Sequence, residues 1–339
     1  MALRAASLFR PDPFTLALIA VVATATVLPC QGTSETVFKW LAVFAIAALF
    51  FLQGARLSRE AVLSGLTHWR LHLLIMAATF VVFPLLGVTL HLLLRPLLSE
   101  PLWMGVLFVC ALPSTVQSSI AFTSIARGNV PAAICAATAS NLIGIFLTPL
   151  LVTLLMRLHG GGISFGEVEK IVLQLLVPFL AGQALRPLIG EWAARNRRIL
   201  AVTDRSSILL VVYVAFSEAV VHGIWHQLPP LRFVILVAVN GILLGAVLLI
   251  TTYGSRALKF PRADEVAIVF CGSKKTLASG IPMANVLFAG PAVGMTVLPL
   301  MIFHQMQLMV CAWLARRYAE RAEREEEAPK GAALSAPGA

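Results

Sequence analysis

VAIVFCGSKKTLASGIPMANVLF, residues 266–288, is apolar at both ends and long enough to enter a bilayer, yet Lys274 and Lys275 stand side by side near its middle. At about 1.5 Å of rise per residue, Lys274 lies roughly 12 Å from Val266 and Lys275 roughly 20 Å from Phe288. Neither ammonium reaches the interface easily, and each costs about 2.5–3.5 kcal/mol at mid-membrane even on the lenient insertion scale. The pair must face a cavity, a carboxylate, or the carbonyl ends of interrupted helices. On an intact helix, neighbours point about 100° apart, so one of the two is expected to enter a site.

The rest of the chain supplies the membrane. Of 339 residues, 59% are hydrophobic and 12% charged, about half the charge of a soluble domain. The net charge of +10 does not point to nucleic acid, because the basic residues fall in short gaps between apolar runs instead of forming one soluble basic face. The lipid bilayer is the expected surrounding. Cys30, Cys110, Cys135, Cys271 and Cys311 lie in or beside apolar runs and form no CxxC pair. They read as small buried hydrophobes, not as a metal site. The opening MALRAASLFRPDPF lacks a signal-peptide core, so the first apolar run is expected to stay as a span.

A spanning helix needs about 20 mostly apolar residues. Ten candidates follow: 14–30, 37–54, 71–94, 102–125, 130–156, 167–188, 205–222, 231–253, 264–288 and 292–315. Helices are required because lipid offers backbone groups no partners. With residues 1–13 placed in the cytoplasm, nineteen of the 26 Lys and Arg fall in cytoplasmic segments and five outside. The remaining two are Lys274 and Lys275. That asymmetry puts both termini inside, and leaves 316–339 as a cytoplasmic, partly disordered tail.

Ten spans divide into two halves of five, 14–156 and 167–315, and an odd number inverts the second half. The fourth span of each half is interrupted: CALPSTVQSS in the first and FCGSKKTLASG in the second. The fifth spans share Gly-x-x-x-x-Pro-Leu, at Gly144/Pro149 and Gly294/Pro299. Proline and glycine leave helix carbonyls and amides unpaired, tolerated at membrane depth only inside protein or along a wet cavity. Paired interrupted helices in two halves point to the binding site of a secondary transporter; the blander reading is two kinked packing helices. The expected substrate- or ion-binding residues are Ser114, Thr115, Gln117, Ser118 and Ser119 at the first break, and Ser273, Lys274, Lys275 and Thr276 at the second. Asn141, Asn240, His304 and Gln305 stand on neighbouring spans, with Gln307 close by. No carboxylate stands out as a lysine partner, so carbonyls and hydroxyls of the first break are expected to fill that role. Arg127, Gly128 and Asn129 read as a tight turn.

FFLQGARLS (50–58), LPSTVQSSIAFTSIARGNVPAA (112–133), FCGSKKTLASGIPMANVLF (270–288) and LPLMIFHQMQL (298–308) resemble the bile acid:sodium symporter family, in its prokaryotic branch related to the seventh member of solute carrier family ten. The resemblance implies an all-α membrane protein of a bacterial inner membrane. Its ten helices would form two inverted five-helix repeats, with broken helices 4 and 9 crossing mid-membrane. Spans 3, 4, 5, 8, 9 and 10 would make a core and spans 1, 2, 6 and 7 a panel. It also implies sodium ions behind the crossing, with Ser118 and Ser119 as the remaining sodium ligands. The other ligand positions fall on Ala133, Ala137, Phe270 and, at or beside it, Lys274, which do not supply the family's groups. An ammonium with three donors can take the place of a bound sodium, leaving coupling to protons, to one sodium ion, or to nothing.

The main expectation is a secondary transporter that moves a small organic anion by alternating access, with Na⁺ or H⁺ as the candidate coupling ion and no other cofactor. The alternative is a non-transporting membrane regulator of ion or lipid homeostasis. An enzyme is not expected: no paired nucleophile and base and no pair of intramembrane carboxylates stand out, and no P-loop is present.

Overall fold

Proline and glycine punctuate the chain where its helices begin and break. The computed structural model describes residues 13–56, 68–157, 165–223, 228–288 and 292–333, and within them the secondary structure is helical with no strand. The expected N-tail up to residue 12 and the end of the tail, 334–339, lie outside the described residues, as do the side chains of 156–174. Helix α1 is Pro13–Val27 and α2 is Thr33–Arg56. The third expected span is α3 (Trp69–Ala77) and α4 (Phe83–Leu94), joined by a π-helical turn at Ala78–Val82. Then come α5 (Glu100–Ala111), α6 (Val116–Ile125), α7 (Val130–Arg157), α8 (Phe165–Ala184), α9 (Arg186–Arg195) and α10 (Arg197–Val221). The chain continues through α11 (Pro230–Ala257), α12 (Arg262–Gly272), α13 (Leu277–Leu287) and α14 (Ala292–Ala333).

Among the described residues, six helices are long and apolar enough to cross a membrane, and a seventh span forms if α5 and α6 count as one bent pair. The other three expected spans fall short for definable reasons. In α1 and α8 the apolar described stretches, Leu16–Val27 and Leu175–Ala184, are short. The α12–α13 pair carries two lysines and a break. Helix boundaries also shift. The expected sixth span ends early, at Ala184, and α9 follows as a separate short helix. Helix α10 begins at Arg197, ahead of the expected 205. Helix α14 runs on to Ala333, past the expected span end at 315 and into the residues read as the cytoplasmic tail.

Large side chains such as Phe44, Leu73, Leu92 and Leu93 are exposed, the sign of helices whose outer faces meet lipid. Helix α10 packs against α1 and α2, and α8 lies along α2. The α2–α8 approach depends on Gly54 and Gly182: a Cβ at Gly54 would overlap the Phe179 carbonyl, and one at Gly182 the Phe51 carbonyl. Helices α3 to α7 and α11 to α14 form the other set, met by α8 and α10 at α7, α13 and α14. At one end of this set, Asn129 Nδ2 donates to Asp264 Oδ1 (2.7 Å) and the Asn129 amide donates to Ala263 O (2.8 Å). The turn expected at Arg127–Asn129 therefore also ties α7 to α12.

Candidate functional site: the crossing of two interrupted helices

Leu112 precedes Pro113, and proline pushes the residue before it out of the α region. Leu112 accordingly takes ψ 152°, α5 stops at Ala111, and α6 sets off at 61° to it. The second break has no proline. It follows Gly272 and is held by tertiary partners. The two breaks nonetheless correspond closely. One spacing of 161 residues relates Ala111 to Gly272, where the first halves end, and Val116 to Leu277, where the second halves begin. Thr115 and Thr276 cap the second halves with nearly the same backbone, φ −78° ψ 131° and φ −79° ψ 124°.

The breaks cross and exchange hydrogen bonds. The Thr276 amide donates to Pro113 O (3.0 Å), and Thr115 Oγ1 to Lys275 O (2.8 Å). Ser114 Oγ donates to Cys271 O (2.5 Å) and Ser119 Oγ to Phe270 O (3.0 Å). The last carbonyls of a helix have no partner within it; those ending α12 are therefore satisfied by hydroxyls of the first break.

Each break is also clamped by the helix after it. Ser140 Oγ accepts from the Ser114 amide (3.0 Å), and Asn141 Nδ2 donates to Ser114 O (2.7 Å). On the other side, Gln307 Oε1 accepts from the Lys275 amide (2.8 Å) and Gln307 Nε2 donates to Lys275 O (2.8 Å). Ser114 and Lys275 are related by the same 161-residue spacing, so the clamps meet corresponding positions. The shared Gly-x-x-x-x-Pro-Leu is not a matching pair in space. Gly144 lies deep within α7 against Pro113, whereas Gly294 lies in the first turn of α14.

Both lysines are fully buried. Lys275 Nζ donates to Thr79 O (2.8 Å), Cys110 O (2.9 Å) and Leu112 O (2.6 Å), with the Phe83 ring 4.0 Å away. Three donors meet three carbonyls. Two of these end α5, where the helix dipole favours a cation, and the third comes from the π-helical turn. Lys274 Nζ donates to Ser118 O (2.8 Å) and faces the rings of Phe122 at 3.8 Å and Phe270 at 5.3 Å. The expectation that one lysine would turn inward assumed an intact helix. Across the break the backbone is not helical, and the two side chains reach opposite sides of the first break, Lys275 the end of α5 and Lys274 the start of α6. Neither has an ion-pair partner among the described residues.

Other expected residues fall elsewhere. Gln117 is exposed. Asn240 is buried but donates to Pro299 O (3.3 Å), joining α11 to α14. The ring of His304 sits 2.9 Å from Gln307 Nε2, and Gln305 is half-buried. Ser273 Oγ turns back to Val269 O (2.6 Å), and Ser279 Oγ reaches Thr276 Oγ1 (3.3 Å). Thr79 and Ser140 were not among the site residues expected from sequence, yet both touch the breaks, and of the three polar residues on the last span it is Gln307 that reaches the second break. Gln307 carried a signal, since it lies one helical turn after His304.

The oxygens here do not suit a sodium ion. The Ser119 hydroxyl is committed to Phe270 O, and the Ser118 carbonyl already accepts from Lys274. The Ser118 and Thr123 hydroxyls are buried without hydrogen-bond partners, and two neutral hydroxyls are a poor cage for a cation that lies near two ammonium groups.

A bundle of apolar helices around two interrupted, crossing segments defines an integral membrane protein built like a transporter. The model of the SBF-like CPA transporter family matches residues 12–320, and the chain belongs to that family. It is 58% identical to PA2026 of Pseudomonas aeruginosa over 314 residues, covering 92% of this chain and 94% of that one. It is 56% identical over 313 residues to "Putative symporter YfeH" of Escherichia coli strain K12, with the same shares covered. It is 29% identical over 308 residues to "Sodium/bile acid cotransporter 7" of Rattus norvegicus, covering 89% of this chain and 90% of that one. The Escherichia coli and rat relatives carry transporter names, and the family is one of transporters, not enzymes.

Proposed function

We propose that the chain is a secondary transporter of a small organic anion, in which the Lys275 ammonium occupies the place of a coupling sodium ion. The observation that carries this reading is the ammonium held by three carbonyls at the end of α5. At membrane depth such carbonyls need partners from protein, water or an ion; here a side chain supplies both the donors and the charge. The second halves, α6 and α13, start at the crossing, and helix N-termini attract anions. In this reading ten spans form two inverted repeats in a bacterial inner membrane, with both termini cytoplasmic. The corresponding breaks and clamps support the repeat. The packing of α1, α2, α8 and α10 supports a panel beside a core. Sodium coupling is absent, and protons are the remaining candidate for a coupling ion.

Alternating access is tested with Ser118→Cys in a background whose five native cysteines are replaced, using impermeant thiol reagents on vesicles. The expected result is labelling from either face, with the balance shifted by a transported anion found from an uptake panel. Labelling from one face only, whatever anion is present, would overturn the reading and favour the non-transporting regulator.

A further inference from the structure

The two interrupted spans carry acids only in the first turns of α5 and α12: Glu100, Asp264 and Glu265. Helices α6 and α13 carry none. Asp264 accepts from Asn129, and Glu265 is paired with Arg256 (2.9 Å). At the crossing itself stand two fully buried lysines and no carboxylate. The Phe122 ring 3.8 Å from Lys274 Nζ and the Phe83 ring 4.0 Å from Lys275 Nζ present aromatic faces, which attract cations. Carbonyl dipoles and rings stabilise these charges without cancelling them. The crossing therefore holds positive charge that neither span neutralises.

The two breaks are not equally covered. Gln117, Ala121 and Ser124 are exposed, and their spacing puts them on one face of α6. A polar side chain at mid-membrane depth is costly against lipid, so this face meets water. The spacing of 161 residues carries the three positions to Ala278, Pro282 and Asn285 on α13. Of these only Ala278 is exposed; Pro282 is buried and Asn285 half-buried, and α13 packs against α10. The first break is thus open where its counterpart is covered. In the topology proposed above, α6 leads from the crossing to the cytoplasmic end.

A wet vestibule along α6 carries the cytoplasmic potential up to the lysines, so the membrane field falls across the covered half. When the crossing opens to the other side, the same two charges lie electrically outside. Reorientation therefore moves charge through the field even where the lysines barely shift. A coupling sodium ion leaves with the cargo; a side chain cannot. Its charge stays in the empty carrier and is offset only while an anion is bound. We infer that the membrane potential, acting on Lys274 and Lys275, returns the empty crossing to the cytoplasmic side, and that the chain exports its anion. The inference rests on the alternating access proposed above. A negative interior draws the two charges inward, and a bound divalent anion lets the crossing turn outward without work against the field. The cycle needs no co-transported ion.

The test uses Gln117→Cys in a background whose five native cysteines are replaced. An impermeant maleimide labels it in right-side-out and inverted vesicles, with the potential set by potassium gradients and valinomycin and no substrate added. With two charges crossing about half the field, about a tenth of a volt, negative inside, should raise the ratio of cytoplasmic to outer labelling roughly fiftyfold. Lys274→Met should cut that to roughly sevenfold, and Lys274→Arg should keep it. Labelling from both faces in a ratio that ignores the potential would overturn the inference and leave alternating access standing. So would a ratio that moves the opposite way, or one that keeps its full slope in Lys274→Met. Labelling from one face only, at potentials of either sign, would instead sink alternating access and the inference with it. Should Lys274→Met not fold, the response with both lysines present still decides.

Discussion

Replacing Lys275 by alanine tests whether an ammonium stands where an ion would otherwise sit. The substitution removes the charge and most of the stem, and leaves the carbonyls of Thr79, Cys110 and Leu112 facing an empty space. Each unpaired buried carbonyl costs about 1–3 kcal/mol. Part of this is offset because no ammonium need be taken out of water, and removing one partner of a buried charged contact costs about 3–5 kcal/mol in total. At roughly 2 °C per kcal/mol for a chain of this size, the variant in choline chloride should melt about 6–10 °C below the unaltered protein. Sodium can now reach the carbonyls. At 100 times its Kd it would add about 2.7 kcal/mol, restoring more than half of the loss. The assay is thermal unfolding in detergent, in sodium chloride against choline chloride at matched ionic strength. The unaltered protein should show no sodium-specific shift. Lys275→Met, which keeps the stem and bars the ion, should lose stability without sodium rescue. A sodium-specific shift in the unaltered protein would refute the reasoning, because a sodium site would then survive beside the lysine. Equal rescue of the Met and Ala variants would refute it too, because sodium would be acting elsewhere.

Two further outcomes follow from packing. Gln307→Leu strands the amide of Lys275, while its carbonyl keeps the Thr115 hydroxyl, costing about 1–3 kcal/mol; Gln307→Glu keeps the acceptor and should recover part of that in the same melting assay, so equal losses would argue against the clamp. Gly182→Ala drives a methyl into the Phe51 carbonyl and should cost about 1–3 kcal/mol, whereas Gly245→Ala, with open space around it, should gain about 0.4–1 kcal/mol; a neutral Gly182→Ala would contradict the close α2–α8 approach.

The first break was legible because Pro113 acts locally, on the residue before it. The second break was legible through Gly272, the polar run after it and above all its lysines, whose burial cost is large enough to require a special environment. What held that environment together was less visible. Thr79 contributes a carbonyl because α3 and α4 meet in a π-helical turn, and ATFVV carries no composition that announces one. Ser140 and Gln307 act through positions set by the tilt of α7 and α14, which spacing along one chain does not give. The Gly-x-x-x-x-Pro-Leu match shows the converse: two short strings agree while their glycines lie at different depths. The span count ran against a similar limit, since the lysines that mark α12–α13 as special also lower its mean hydropathy below that of an ordinary span.

Chain order matters for how such a span is made. Thr79, Cys110 and Leu112 leave the ribosome well over a hundred residues before Lys275. At about 2.5–3.5 kcal/mol for each lysine, α12–α13 is a poor candidate for insertion by itself. By the time it emerges, α5 has already presented its carbonyls inside the membrane. The latecomer therefore enters a bilayer that already contains its receptor, and the first half of the chain serves as an assembly template for the second.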